Sequence, residues 1–323
     1  MFRRIFHIRS LLALVALVFG IAAHAQPYPN HPVKLVVPWP PGGAVDIIGR
    51  LVAEGISEPL GQPVVIDNRG GAAGAIGSDY VAKSPGDGYT LLMGSTTVIS
   101  INPALQKLPY QPSDFAPITM VAFVPHVLVT NADVPANNLK DFIAWVKSNP
   151  GKVSYASAGP GTPHHIAGEM FKSMAGVEML QVPYKGTGPA LVDLIGNRVQ
   201  FMSVELIAAL PQIRAGKLKA LGVATATRNA LAPDIPTVAE AGLPGFEITA
   251  WYGVVAPLGV PAPAASLLAK TISKALENQV FRDKLAGLGA TPVGGTPEEF
   301  GDMLKVENGK WGKAIKDANI RLE

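Results

Sequence analysis

Two glycine-centred segments hold the residues whose types and spacing could do chemistry. In the first, Trp39-Pro40-Pro41-Gly42-Gly43-Ala44-Val45-Asp46, the prolines end a short apolar run, because proline fixes φ and gives no ladder hydrogen bond. The glycines let the backbone turn tightly, and Ile47, Ile48, Leu51, Val52 and Ile56 then recur at helical spacing. A helix starting there aims unpaired N–H groups and its positive dipole end at the space above the preceding strand. That is a seat for an anion, carboxylate as well as phosphate. In the second segment, Gly159-Pro160-Gly161-Thr162-Pro163-His164-His165, Thr162 suits the N-cap and Pro163 the first helical position. Both histidines then lie in the first turn, where a neutral imidazole can donate N–H to a bound carboxylate. Adjacent positions on a helix point about 100° apart, so one histidine is expected to pack against the fold. Asp46 reads as a helix-dipole partner or as an acceptor for a ligand hydroxyl or amine. Glu205, just past a predicted strand, reads the same way or as a solvated carboxylate.

Enzyme signatures are largely absent: no GxSxG elbow, no GxxxxGK[ST] phosphate loop and no intact GxGxxG. The His164-His165 pair lacks an i,i+4 histidine or an HExxH order, so no metal is expected, nor any cofactor or catalytic residue. The absence of cysteine excludes disulfides, thiolate metal sites, a catalytic thiol and a lipidated N-terminal Cys.

The elements that must position these residues follow an exported leader. Arg3, Arg4 and Arg9 precede an apolar run from Leu11 to Ala23, and Ala23-His24-Ala25 is a small-x-small cleavage site. Residues 1–25 therefore read as a secretory signal peptide cut after Ala25. With those three arginines gone, basic and acidic residues balance at 24 each, which gives no reason to expect nucleic acid or a membrane surface as partner. The remaining length suggests two domains. A strand over Lys34–Val37, a helix, a second strand over Pro63–Asp67, a second glycine turn at Gly70, Gly71 and Gly74, and a helix with Ile76, Tyr80 and Val81 inward make one unit. A strand over Thr90–Met93 leads to a polar loop, Gly94-Ser95-Thr96-Thr97. The same order returns from Val153, with glycine turns again 27 positions apart (Gly43 to Gly70, Gly159 to Gly186) and helices carrying Ile166, Met170, Phe171 and Met174, then Leu191, Val192, Leu194 and Ile195. This predicts two α/β lobes with glycine turns at the carboxyl ends of their strands. Val121–Thr130 and the strand-like Phe246–Ala256 are the candidate crossings between them. Trp39, Trp251 and Tyr252 could stack on a planar ligand or pack between lobes. A helical tail follows, with Thr296-Pro297-Glu298-Glu299 as a helix start.

The chain resembles the substrate-binding proteins of tripartite tricarboxylate transporters, the Bug receptor family, over essentially all of the mature sequence. The likeness rests on PWPPGGAVDIIGR (38–50), VVIDNRGGAAGAIGSDYVAKSPGDGYTLLMGS (64–95), LPYQPSDFAPIT (108–119), VPYKGTGPALVDLIGNRV (182–199), LPQIRAGKLKALGVAT (210–225), PDIPTVAEAGLPGFE (233–247) and the WYGVVAP run at 251–257. The resemblance implies a two-lobed α/β periplasmic binding protein of Venus-flytrap, type II-like form with two hinge crossings. It divides the chain into 26–124 plus 252–323 and 125–251. It also implies a small carboxylate ligand, held largely by backbone amides of the two glycine loops and delivered to membrane components of the transporter. The ligand-binding set is then Trp39, Pro41, Gly42, Gly43, Ala44, Asp46, Ser95 and Thr96 from one lobe, and Ser157, Gly159, Gly161, Thr162, His165, Tyr184, Thr187 and Glu205 from the other. Three departures bear on specificity. Val45 stands where Thr is common, the second loop is Ala158-Gly159-Pro160-Gly161-Thr162 rather than Asn-Gly-x-Gly-Ser, and Met202-Ser203 replaces a usual Phe-Asp, with Glu205 two positions on. A monomer in the periplasm is expected. A ligand-sensing accessory of a signalling system, or a hydrolase or isomerase built on Asp46 and the histidines, are the rival classes.

Overall fold

The computed structural model describes residues 28–317; the leader and its cleavage site lie outside them. The first α/β unit is β1 (Val33–Val37), α1 (Ala44–Leu60), β2 (Val64–Asn68), α2 (Ala75–Ala82) and β3 (Thr90–Ser95). β1 pairs in parallel with both β2 and β3. Thr96–Ile101 is a π-helix rather than the expected polar loop, running into the single turn α3 (Asn102–Leu105). All six of its residues are buried, because the apolar Val98, Ile99 and Ile101 pull the segment into the core.

β4 (Phe115–Asn131) is the long element on which both lobes are built. Its first part, up to Pro125, pairs with β9 (Thr249–Pro257). From His126 onward it pairs with β7 (Phe201–Glu205) and β8 (Leu218–Val223). Between these come α4 (Leu139–Lys147), β5 (Ser154–Ser157), α5 (Pro163–Ala175), β6 (Leu180–Pro183), α6 (Thr187–Ile195) and α7 (Leu206–Arg214). The β5–β6 pair is parallel, so the second unit repeats the first as its glycine spacing predicts. β9 returns the chain to the first lobe beside β3, followed by α8 (Ala262–Glu277), α9 (Gln279–Ala286), β10 (Thr291–Pro292) and α10 (Pro297–Asp317). The strand run of β9 starts at Thr249, since Phe246 and Ile248 are buried in the second lobe's core. Thr296 and Glu299 exchange side-chain-to-backbone hydrogen bonds at the start of α10, a capping box. Among the described residues no helix is long and apolar enough to cross a membrane.

Leu35, Ile48, Val52, Leu91, Val254 and Val255 fill the first core. In the second lobe, Tyr155, Phe171 and Phe201 fill one face of the sheet and Val127, Leu194 and Val204 the other. Trp251 belongs to the first core, edge-on to Phe300 at 5.6 Å, so its reading as a stacking platform gives way to packing. Ile76 and Val192 are 57% and 64% exposed, and Met174 is also exposed; their helices bury the faces carrying Val81, Phe171 and Leu194 instead. One close contact gives a stability prediction. A Cβ on Gly168 in α5 would lie 2.2 Å from the Tyr155 ring. Gly168→Ala gains about 1 kcal/mol of helix propensity but overpacks a core contact worth about 1–3 kcal/mol. It is expected to lower the urea midpoint, and a raised midpoint would contradict this packing.

Candidate ligand-binding cleft

The first glycine loop is braced from within its own lobe. Gly42 donates its N–H to Asp46 Oδ2 at 3.0 Å, Arg50 Nε donates to Asp46 Oδ1 at 3.0 Å, and Asn68 Nδ2 donates to Oδ1 at 2.9 Å. Asn68 also reaches the Trp39 carbonyl. Burial alone would raise the Asp46 pKa, but hydrogen bonds from Arg50, Gly42 and Asn68 and the Arg50 charge hold it below the usual carboxylate range. Asp46 thus braces the loop from within its own lobe, and the Gly42 N–H is engaged with it.

The second loop is braced in the same manner. Gly161 donates its N–H to His165 Nδ1 at 3.1 Å, and the Thr162 hydroxyl donates to the Gly159 carbonyl at 2.7 Å. Gln181 donates to Ser157 Oγ, and the Tyr184 hydroxyl donates to Asp193. The side chains of Ser157, His165 and Tyr184 and the Gly161 N–H therefore serve the loop and its flanks. None of Pro41, Gly42, Asp46, Ser157, Gly159, Gly161, His165 or Tyr184 borders the small enclosed space between the helix starts, although Pro41 and Gly42 face Gly188 of the other lobe.

What does line it are the helix starts and a buried polar cluster. Trp39, Gly43, Ala44, Ser95, Thr96, Thr162, Thr187 and Glu205 face the enclosed space, joined by Val45, Thr97, Ala158, Pro163, His164, Ala250 and Tyr252. Helices α1, α5 and α6 begin at this wall without a side-chain cap on Gly43, Thr162 or Gly186. Their first-turn N–H groups therefore have no intrahelical acceptor. Ser95 Oγ, Trp39 Nε1 and His164 Nδ1 are buried without a partner, an uncommon condition for buried polar atoms. The lobes meet closely. Gly43 faces Thr187, and a Cβ on Gly188 would sit 2.3 Å from the Pro41 carbonyl oxygen. The space left is about 20 Å³, room for a water molecule or two, so any larger guest requires the lobes to part.

His164, rather than His165, is the histidine that faces the cleft. Its Nε2 lies 3.0 Å from Glu205 Oε2 and 3.2 Å from Thr187 Oγ1, and the Tyr252 hydroxyl donates to Glu205 Oε1 at 3.1 Å. Glu205 is 4% exposed, so it is not the solvated carboxylate that sequence allowed. Burial would raise its pKa, but the His164 charge and hydrogen bond, with His126 behind, hold it well below the ordinary carboxylate range. Tyr252 is pushed well above its ordinary value, by burial first and then by Glu205, and stays a donor.

His126 stands opposite Glu205 across the β4–β7 ladder, with Nδ1 3.1 Å from Ser203 Oγ. His126, His164 and Glu205 bring one possible ligand atom each within 4.8 Å of one another, a donor set a divalent cation would accept. The spacing of His164 and His165 could not reveal it, because the other members come from two strands. The cluster is already linked by its own hydrogen bonds, and a cation would have to displace the His164–Glu205 contact.

Burial, the largest influence, pushes the His126 pKa from 6.5 down to about 3, with Glu205 opposing and His164 adding to the fall. A depressed histidine pKa means the folded state binds fewer protons than the unfolded one. Its contribution to stability is full above pH 6.5 and is lost as pH falls toward 3. His165 shifts the same way, by burial, with Lys172 adding and Glu169 opposing. Denaturant unfolding of His126→Gln between pH 6.5 and 4.5 is expected to lose up to about 1.4 kcal/mol per pH unit of slope relative to wild type. An unchanged slope would show that His126 titrates freely.

A two-lobed α/β fold with uncapped helix starts facing each other across a cleft defines a solute-binding protein. The family model for the tripartite tricarboxylate transporter family receptor matches residues 48–320, and the chain belongs to that family. A protein from Pseudomonas sp. (strain P51), named for the tcbD-tcbE intergenic region, is 41% identical over 97% of this chain and 95% of its own length. Protein BugT of Bordetella pertussis is 37% identical over 97% and 98%. Among solved structures, R. palustris Rpa4515 with adipate superimposes with TM-score 0.88 at 38% identity, covering 91% of this chain and 99% of that one. MatC from Rhodopseudomonas palustris with bound malate gives 0.84 at 33%, covering 89% and 100%. The family is one of solute-binding receptors and not of enzymes.

Proposed function

We propose that this chain works in the periplasm, captures a small carboxylate between its lobes, and presents it to the membrane components of a tripartite tricarboxylate-type transporter. The observation that carries this reading is the meeting of three uncapped helix starts on one enclosed cleft whose lining includes no Lys or Arg. An anion there takes backbone N–H groups of Gly43, Ala44 and Val45 from one lobe and of His164 and Thr187 from the other. Each dipole end contributes about 0.3–2 kcal/mol and each charge-assisted hydrogen bond about 1.5–3 kcal/mol. After association costs that is compatible with a micromolar complex, about −8 kcal/mol. The first lobe boundary, expected at 124/125, is supported to within a residue by the partner change in β4 between Pro125 and His126. In β9, Thr249 already pairs with the first-lobe half of β4, so we place the second hinge at Ile248–Thr249. Closure is a population shift toward the conformation in which both loops touch the ligand. The adipate and malate named for two relatives make dicarboxylates the first compounds to try.

A thermal-shift screen over mono-, di- and tricarboxylates, aromatic acids and acidic amino acids, with calorimetry on the hits, tests this. At least one carboxylate is expected to raise Tm and to be recovered chemically unchanged. A screen with no hit, or a hit that is consumed, would refute it.

A further inference from the structure

His126, His164 and Glu205 are 0%, 3% and 4% exposed, and one nitrogen from each ring and one carboxylate oxygen lie within 4.8 Å of one another. Each ring also keeps a nitrogen with nothing to bond among the described residues. Ser203 Oγ sits 3.1 Å from His126 Nδ1 and leaves Nε2 without a partner; His164 Nε2 faces Glu205, and its Nδ1 has none. Buried polar atoms in that condition call for an ion, a water or a functional role as explanation. The spacing fits an ion. Histidine nitrogen and carboxylate oxygen stand about 2.0–2.2 Å from a zinc-class cation, so two of them in adjacent positions are about 2.8–3.5 Å apart. His164 Nε2 and Glu205 Oε2 are already 3.0 Å apart, with Thr187 Oγ1 3.2 Å from the first and 3.5 Å from the second. A cation would replace the proton between that pair and leave both side chains in place. Bringing in the His126 nitrogen takes a shift of at most about 1.5 Å.

We propose that His126, His164 and Glu205 bind one divalent transition cation of the zinc class, and that its open coordination position takes the carboxylate of the guest. The cation half stands without the carboxylate seat proposed above; the guest half rests on it. Two imidazoles and one carboxylate suit such an ion, and three protein ligands leave a position for an outside group. Ser203 on His126 and the Tyr252 hydroxyl on Glu205 Oε1, at 3.1 Å each, are the kind of outer contact that holds a metal ligand in place. All three ligands lie in the second lobe, His126 being where β4 takes up β7. The ion can therefore load while the lobes are apart, and the guest then bridges it to the α1 amides of the first lobe. Charge gives the site a purpose, because no Lys or Arg lines the enclosed space. Glu205 beside a protonated His164 is neutral as a pair, and beside a neutral His164 it is an anion, so neither form draws a carboxylate by net charge. Two neutral imidazoles, one carboxylate and a divalent ion carry a net positive charge, and it faces the guest.

The test is calorimetry on the untagged mature chain, stripped with EDTA and dialysed into a carboxylate-free, non-chelating buffer. Titrated with the chlorides of zinc, cobalt and magnesium, it is expected to bind one Zn2+ or Co2+ per chain and no Mg2+, which prefers oxygen ligands. Glu205→Gln and His126→Gln are each expected to weaken Zn2+ at least about 100-fold, and Ser203→Ala by the roughly 10–100-fold that an outer-shell partner costs. His31→Gln, at an exposed histidine, is expected to change nothing. One equivalent of Zn2+ is expected to raise affinity for the carboxylate giving the largest thermal shift at least about tenfold over the EDTA-treated chain. Zinc-soaked crystals of the wild type decide the matter if a variant does not fold, with an anomalous peak expected about 2.0–2.2 Å from His164 Nε2 and Glu205 Oε2. No stoichiometric Zn2+ or Co2+, an ion that survives both ligand substitutions, or a carboxylate affinity indifferent to the ion would overturn the proposal. Zn2+ bound as expected by a chain that takes no carboxylate in either form would overturn the seat, and the guest half with it, while leaving the cation site standing.

Discussion

Gly43→Asp is expected to abolish ligand binding while leaving the fold as stable as the wild type or slightly more so. Gly43 is the N-cap of α1 at φ −90° and ψ 171°, a conformation open to any residue, so backbone strain plays no part. Aspartate is among the preferred N-caps and exceeds glycine there by about a few tenths of a kcal/mol, because its carboxylate accepts from the N–H groups two and three residues on. Those are the donors of Val45 and Asp46 at the mouth of the proposed seat. The substituted side chain would therefore occupy the seat itself and set a fixed negative charge against any incoming anion. At about 4 Å and an effective dielectric near 20, such a pair repels by about 4 kcal/mol, so a loss of at least about 100-fold follows even after solvent screening. A Cβ at Gly43 would also stand 3.1 Å from Thr187 Cβ, which makes Gly43→Ala the control for bulk alone. Calorimetry with the carboxylate giving the largest thermal shift, beside a melting curve, separates lost binding from lost folding. Unchanged affinity in Gly43→Asp would remove Gly43 from the site.

The second large effect is expected at Gly188. It lies in the first turn of α6, where Ala is a better helix former than Gly by up to about 1 kcal/mol. In the closed arrangement, however, its Cβ would stand 2.3 Å from the Pro41 carbonyl oxygen of the other lobe. The clash is with backbone, which cannot swing aside as a side chain can, and overpacking of this order costs about 1–3 kcal/mol. That cost falls on the closed conformation alone. Gly188→Ala should therefore melt at the wild-type temperature or above, yet bind about 10–100-fold more weakly, since affinity drops with the population able to close. Small-angle scattering with saturating ligand should show the variant more expanded than the wild type. A variant that binds normally would mean the two loops do not touch in the liganded state.

The strands and helices that carry these loops were legible because their signals are local. β1, α1 and the repeated glycine spacing follow from apolar periodicity interrupted by Gly and Pro, and the capping box at Thr296 and Glu299 from residues three apart. The π-helix at Thr96–Ile101 was not legible, because short polar residues there suggest a loop while tertiary burial of Val98, Ile99 and Ile101 decides otherwise. Within the cleft, sequence located the helix starts but not which groups remain free. Asp46 turned out to brace Gly42 through a contact four residues away, and His165 to accept from Gly161, so both loops use nearby side chains to hold their shape. His164, Tyr252 and Glu205 meet only because α5, β9 and β7 converge. No spacing rule links positions so far apart in the chain.

A crystal structure of the chain with the tightest-binding carboxylate from the screen tests the central claim most directly. Carboxylate oxygens within hydrogen-bond reach of the Gly43–Val45 amides, with the start of α5 or α6 closing on the same molecule from the other side, are the predicted result. A ligand held in another cavity, or held in this cleft by its neutral end with the carboxylate pointing to solvent, would contradict it.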